Sequence, residues 1–269
     1  MTDRKVAVVT GISSGIGRAT AAELARRGLR VFGSVRGPGS AELPGVEPVV
    51  LDVRDDASVE GAVADVLARA GRIDVLINNA GTSILGAIEE TDTAQARALF
   101  DVNFFGAVRA TRAVLPTMRA RRAGRIVFVS SVVGFLPAPF MGFYAASKHA
   151  LEGYAESLDH EVRALGIRAF LVEPGFMKTR LDTNSTLAAR TIDDYAGARS
   201  RVGASINASV AGGEDPAIVA AVIAEALADE QPRLRYPVGK RAGMLACLRA
   251  FLPARVFDRG FRKQFHVEA

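Results

Sequence analysis

The sequence predicts an α/β protein, a doubly wound parallel sheet with helices on both faces, in one domain. Three observations predict it. Short apolar runs rich in valine alternate with helical segments along the chain, the pattern of buried parallel strands joined by helical crossovers. The first run passes directly into a glycine cluster and then into an Ala/Leu-periodic segment. The residues with chemistry to offer, Gly11, Asn79, Ser131, Tyr144 and Pro174, fall at or just beyond the ends of runs, where open α/β sheets bind ligands. The 269 residues suit one large core, with no internal repeat, no low-complexity linker and no second domain.

Taken in order, strands are expected at Val6–Thr10, Arg30–Ser34, Glu47–Leu51, Val75–Asn78, Arg125–Ser130, Arg168–Glu173 and Arg233–Pro237. Helices are expected around 16–27, 57–70, 92–121, 144–165 and 216–228. After the first strand, Gly11, Gly15 and Gly17 stand in Gly-x-x-x-Gly-x-Gly spacing, with Ser13, Ser14 and Ile16 between them. Such glycines permit a tight turn and close approach to a pyrophosphate, and the helix behind them offers free N–H groups and a positive dipole end. Tyr144 and Lys148 are four residues apart, so a helix places both on one face. A free tyrosine titrates at about 10 and is a poor acid or base at neutral pH. A fixed ammonium nearby favours the phenolate. Lowering that pKa by roughly three units corresponds to about 4 kcal/mol and makes tyrosine usable for proton transfer to an alcohol oxygen. On its own the pair is common on solvated helices; with the glycine cluster it points to a nucleotide-dependent reaction.

Together these motifs resemble the short-chain dehydrogenase/reductase family. Asn79-Ala80-Gly81 follows the strand ending at Asn78, as in the family. Asn103, in Asp101-Val102-Asn103, matches its catalytic asparagine, and Ser131 precedes Tyr144 by thirteen residues, the family's spacing. Pro174-Gly175 and Thr179 complete the Pro-Gly-x-x-x-Thr pattern. The matches run from Thr10 to Thr179, in family order. The resemblance implies a Rossmann-type sheet of seven strands in the order 3-2-1-4-5-6-7. It implies catalysis by Asn103, Ser131, Tyr144 and Lys148, with no metal. Tyr144 would pass the proton, Lys148 would tune it and hold the nicotinamide ribose, Ser131 would orient the carbonyl, and Asn103 would anchor a water leading to Lys148. Ser130 stands as a substitute for Ser131, disfavoured by the spacing. The implied domain is 1–240, with a basic extension at 241–269. Residues of about 180–213 are polar and poorly periodic; by analogy they form the loop that closes over substrate, or else a surface insertion.

The cofactor is read from the second strand. The position where NAD-preferring relatives carry an acid is Val35, and Arg36 follows it. A guanidinium suits a 2′-phosphate, so the expected cofactor is NADP(H). The family's other basic marker is absent, with Ser14 in its place. Asp52, next to Val53, matches a position that contacts the adenine, or else caps a turn.

The segments expected to line the substrate pocket carry Val133, Phe140 and Phe176 and are apolar, which suits a hydrophobic ketone, aldehyde or secondary alcohol. The run Gly175–Thr179 and the long tail are similar to steroid- and retinol-type members. The rival is a 3-oxoacyl carrier-protein reductase, disfavoured by the tail. A non-catalytic NADP(H)-binding sensor or scaffold is the alternative from another class, disfavoured by the complete set of four catalytic matches.

Net charge is +5 and is concentrated late in the chain: from Gln231 onward nine basic residues face only Asp258 and Glu268. Apolar residues at 244, 248, 251 and 252, and at 257, 261 and 265, follow helical spacing around Pro253. Such a tail packs on its own domain or a partner subunit, or touches an anionic membrane surface reversibly. No nucleic-acid motif accompanies the charge. The lone Cys247, the lack of a ~20-residue apolar run and the absence of a signal-peptide pattern lead to an expected cytoplasmic location. The resemblance implies a homodimer or homotetramer assembled through the helices at 92–121 and 144–165.

Overall fold

The computed structural model describes residues 4–37, 42–179, 181, 185–251 and 253–264. Nine strands occur among them: β1 (Val6–Val9), β2 (Arg30–Val35), β3 (Val46–Val50), β4 (Val75–Asn78), β5 (Ile84–Leu85), β6 (Gly124–Val129), β7 (Ile167–Pro174), β8 (Thr186–Leu187) and β9 (Arg235–Val238). Seven form one parallel sheet in the order β3-β2-β1-β4-β6-β7-β9. Counting only those seven along the chain, this is the expected 3-2-1-4-5-6-7. The helices are α1 (Gly15–Arg26), α2 (Asp56–Ala70), α3 (Thr93–Phe100), α4 (Gly106–Arg121), α5 (Gly142–Val162), α6 (Asp193–Ala211), α7 (Ala217–Ala228), α8 (Ala242–Phe251) and α9 (Ala254–Gln264).

The strands are apolar on both sides because both sheet faces are covered. Val6 and Val8 join one core with Phe32, Phe128 and Leu151, beneath α2, α4 and α5. Ala7 and Val9, pointing the other way, join Leu24, Ile77, Phe170 and Ile223 beneath α1 and α7. Helix starts follow local chemistry. Asp55 caps α2 by accepting from Ser58 N at 2.7 Å, and Asp92 caps α3 by accepting from Gln95 N at 2.7 Å.

Two expectations need correction. The single helix expected over 92–121 is interrupted by a π turn at Asp101–Phe105. The segment read as a loop at 180–213 contains the 19-residue α6 and the short strand β8, which pairs with β5. Its apolar contacts are few but helically spaced: Val202 and Ile206 are buried, and Val210 packs partly beside them. Arg180 and Asn184 lie outside the described residues.

Candidate active site

The glycine-rich turn is held from three sides. Gly11 (φ +73°) and Gly15 (φ +57°) adopt the left-handed conformation that glycine tolerates. A Cβ on Gly17 would overlap Asn79 Nδ2 and the Gly11 carbonyl oxygen. Asn79 Nδ2 donates to the carbonyls of Thr10 (2.9 Å) and Gly11 (3.1 Å), while Thr10 Oγ1 accepts from the backbone of Asn79 (2.9 Å) and Ala80 (3.0 Å). Gly11 N donates to Ser34 Oγ at 2.9 Å, tying the turn to β2. Ser14 stands at the N-cap of α1 without a side-chain capping bond, so it leaves the first-turn N–H groups to another acceptor. Ser13, Ser14, Gly15, Arg18, Lys178 and Thr179 line a crevice of about 780 Å³. Ile16 packs partly against the core. An uncapped helix end, close backbone approach and a roomy crevice that carries Arg18 and Lys178 fit a dinucleotide's pyrophosphate.

At the adenine side, Arg36 is exposed beyond β2 and makes no hydrogen bond or ion pair to the described residues. Val35, at the position of the missing acid, is buried. Asp52 accepts from the backbone of Arg54 at 3.0 Å and pairs with its guanidinium at 2.6 Å. Those bonds hold its carboxyl down at about 2. Asp52 therefore caps a turn, and its other expected role, contact with the adenine, belongs with the proposed cofactor site. Val53 is core, packed on Gly106.

Asn103 sits in the π turn, 1% exposed. Thr82 N–H donates to its Oδ1 (2.8 Å), and its Nδ2 donates to Thr82 O (2.9 Å) and Ser147 Oγ (3.1 Å). Ser147 Oγ in turn donates to the Tyr144 carbonyl at 2.7 Å. The π turn thus grips the Gly81–Thr82 loop and the first turn of α5 together, and Gly81 lies beside both Asn103 and Lys148. Lys148 is buried, its Nζ donating to the Val129 carbonyl at 2.9 Å and lying 5.9 Å from the Tyr144 ring centre. Burial pulls its pKa down to about 8, partly opposed by Glu152.

Ser131 and Ser130 part ways. Ser131, at the end of β6, accepts from Val133 N at 3.3 Å and is partly open, whereas Ser130 points inward and donates to Glu152 at 2.7 Å. Pro174 ends β7, Gly175 N donates to the Val238 carbonyl at 2.8 Å, and Thr179 lies opposite Gly15.

Around Tyr144 the side chains are apolar: Val133, Ala138, Ile84 and Leu99 are buried with it, and Phe140, Met141 and Phe176 pack partly alongside. Phe140 has φ +60°, a strained conformation for a bulky residue, and its ring lies edge-on to Tyr195. Ile84, Leu85, Val202, Ile206 and Val210 belong to the same cluster and were missed from sequence. The spacing 202, 206, 210 was the available signal. Glu90, fully buried, secures this wall. It accepts from Ala87 N and Ile192 N and pairs with Arg199 of α6.

The family model for short chain dehydrogenases matches residues 5–189. The chain belongs to the short-chain dehydrogenase/reductase family. A 3-ketodihydrosphingosine reductase of Bacteroides thetaiotaomicron is 37% identical over 261 residues, covering 96% of this chain and 97% of the relative. An uncharacterized oxidoreductase, YbbO, of Escherichia coli K12 is 35% identical across 95% of this chain and 93% of its own. Among solved structures, a short-chain dehydrogenase from Streptomyces avermitilis superposes with a TM-score of 0.84 at 37% identity, covering 98% and 99% of the two chains. A Burkholderia phymatum family member in complex with NAD gives 0.79 at 28% identity and 92% of each chain. This short-chain dehydrogenase/reductase is accordingly an oxidoreductase. Among the described residues, no helix is long and apolar enough to cross a membrane.

Proposed function

We propose that this enzyme reduces the carbonyl of a hydrophobic small molecule, a ketone or aldehyde of steroid, retinoid or long-chain type, with NADP(H). The observation that carries the reading is Tyr144, held among apolar side chains from β5, α3, α6 and the turns after β6, with Lys148 behind it. The Bacteroides relative, named for reduction of a long-chain ketone, supports the substrate class.

A bound nicotinamide would supply or take the hydride. The protein's part is to manage the oxygen. Tyr144 gives its phenolic proton to the carbonyl oxygen as negative charge builds there, or removes it in the oxidative direction. Ser131 Oγ, while accepting from Val133 N, donates its own hydrogen to the same oxygen. Lys148 holds positive charge near the phenol and would hold the ribose of a bound nicotinamide nucleotide. Asn103 locks the π turn to the Thr82 loop. Both its amide hydrogens are committed, so a water leading to Lys148 would use the second lone pair of Oδ1 or a backbone carbonyl. The cradle for the dinucleotide comprises Gly11, Ser13, Ser14, Gly15, Ile16 and Gly17, with Asn79, Ala80 and Gly81 beneath and Pro174, Gly175 and Thr179 opposite. Arg36, exposed and without a hydrogen bond or ion pair to the described residues, is the partner for a 2′-phosphate.

The lone cysteine fits a reducing compartment, and the cytoplasm is the setting proposed. Phe105 is exposed beside Phe100, Phe143 and Arg109, an apolar surface suited to a homodimer or homotetramer. On the tail, Met244, Phe251 and Val256 are exposed among basic residues, which suits peripheral contact with an anionic membrane holding such a substrate.

The reading is tested by NADPH oxidation against carbonyls graded from small and polar to steroid-sized, 3-ketodihydrosphingosine included, with NADH in parallel. Rates rising with apolar size and favouring NADPH are expected. Equal rates with NADH would remove the role given to Arg36, and tight NADPH binding without turnover would favour a sensor.

A further inference from the structure

Behind the proposed chemistry lies a buried charged cluster with no assigned role in the reaction. Ser130 Oγ donates to Glu152 Oε1 at 2.7 Å. Glu152, one turn beyond Lys148 on α5, is 3% exposed. Its Oε2 accepts from Arg235 Nη1 at 2.7 Å. Arg235, on β9, also pairs with Glu156 at 2.7 Å and with Glu173. Glu173 immediately precedes Pro174-Gly175. Two buried carboxylates on one guanidinium are costly to desolvate, and apolar packing would stabilise a core as well. Their placement is therefore informative: they join the C-terminal ends of β6 and β7 and the start of β9 to the helix that bears Tyr144.

The contact is close. Gly134, which ends the short turn after Ser131, lies against Glu152, and a Cβ there would overlap Glu152 Oε1 and come within 2.6 Å of Ser130 Oγ. Ser131 is extended, with φ −168° and ψ 162°. In extended chain successive side chains point to opposite sides. With the Ser130 hydroxyl held inward on Glu152, the extended backbone sends the Ser131 side chain to the opposite, partly open side.

We infer that Glu152, held by Arg235, is a positioning residue that fixes the orientation of Ser131 through Ser130 and Gly134. The inference rests on the proposed role of Ser131 as donor to the substrate oxygen. A merely stabilising ion pair would behave differently from a positioning one.

Four variants separate them: E152A, E152Q, S130A and G134A, the last removing no charged group but displacing the Glu152 carboxylate. Each is compared with E156Q, which removes only an outer partner of Arg235. The readouts are kcat and KM for NADPH with a hydrophobic ketone, and amide hydrogen exchange at Gly134–Leu136, whose N–H groups bond back to Ser131 and Val132. In E152A, S130A and G134A, kcat is expected to fall tenfold or more while KM for NADPH stays within twofold. Exchange in the turn rises at least tenfold. E152Q, able to keep one bond to Ser130, falls between wild type and E152A, and E156Q stays within twofold of wild type. Unchanged kcat in folded E152A and G134A overturns the inference, as does unchanged exchange in the turn. If wild type reduces no carbonyl yet the variants loosen the turn, the proposed function fails while the positioning of the turn stands.

Discussion

Arg36 and Lys148 make the sharpest predictions at the scale of single residues. Arg36 offers its guanidinium to solvent at the end of β2, close enough for its charge to act on Asp52 but with no hydrogen bond or ion pair among the described residues. Hydrogen bonds to charged groups contribute about 1.5–3 kcal/mol, so Arg36→Ala is expected to weaken NADPH binding roughly tenfold or more and leave NADH binding unchanged. Fluorescence titration of both cofactors checks this. Lys148 titrates at about 8 because burial disfavours its charge. Its ammonium, needed beside Tyr144, is present below that pH and lost above it. The profile of kcat/KM for NADPH, which reports the free enzyme, is therefore expected to fall on its alkaline side with a midpoint near 8. A profile flat to pH 10 would contradict the role given to Lys148. Not every residue was legible in the sequence. Tyr144, Lys148 and Ser131 were, because their spacing is itself the signal. Asp52 was ambiguous because its role depends on Arg54, two residues on. Glu152 was invisible because its burial depends on Arg235, far away in the chain.

At the scale of elements, the strands were legible and α6 was not. Valine-rich runs such as Val6–Val9 are buried on both faces and need no partner to be recognised. On α6 the residues packed toward Tyr144 (Val202, Ile206 and Val210) are separated by glycine, alanine, serine and asparagine, so amphipathicity rests on few positions. The π turn left no sequence mark either, since it changes hydrogen bonding and not composition. Glu90 is what holds α6 against the site. Glu90→Ala would leave Arg199 and two backbone N–H groups without their acceptor. Breaking a buried pair costs about 3–5 kcal/mol, which corresponds to a fall in Tm of roughly 6–20 °C for a domain of this size. Calorimetry measures it. A Tm within 2 °C of wild type would mean that α6 is held by its apolar contacts alone. Ile206→Ala is expected to lower kcat/KM for steroid-sized ketones more than for small ones, with NADPH binding intact, because it reshapes the apolar wall beside Tyr144.

For the whole molecule, the sheet order brings the ends of β1, β4, β6 and β7 to one edge, so the glycine turn, the Asn79 loop, Ser131 and the Pro-Gly step lie along that same edge. The tail stands apart from that convergence. Truncation before Ala254 is expected to leave NADPH oxidation with a small ketone unchanged and to reduce sedimentation with anionic vesicles; equal sedimentation would remove the membrane role of the tail. The central claim is the proposal that Tyr144 is the proton donor to a carbonyl held beside the apolar side chains around it. Its most direct test is Tyr144→Phe, assayed for turnover of a hydrophobic ketone beside NADPH affinity. General acid catalysis contributes roughly 10²–10⁴-fold, so kcat should fall at least about a hundredfold while NADPH binding stays within about twofold. Turnover at the wild-type rate by the phenylalanine variant would contradict the account.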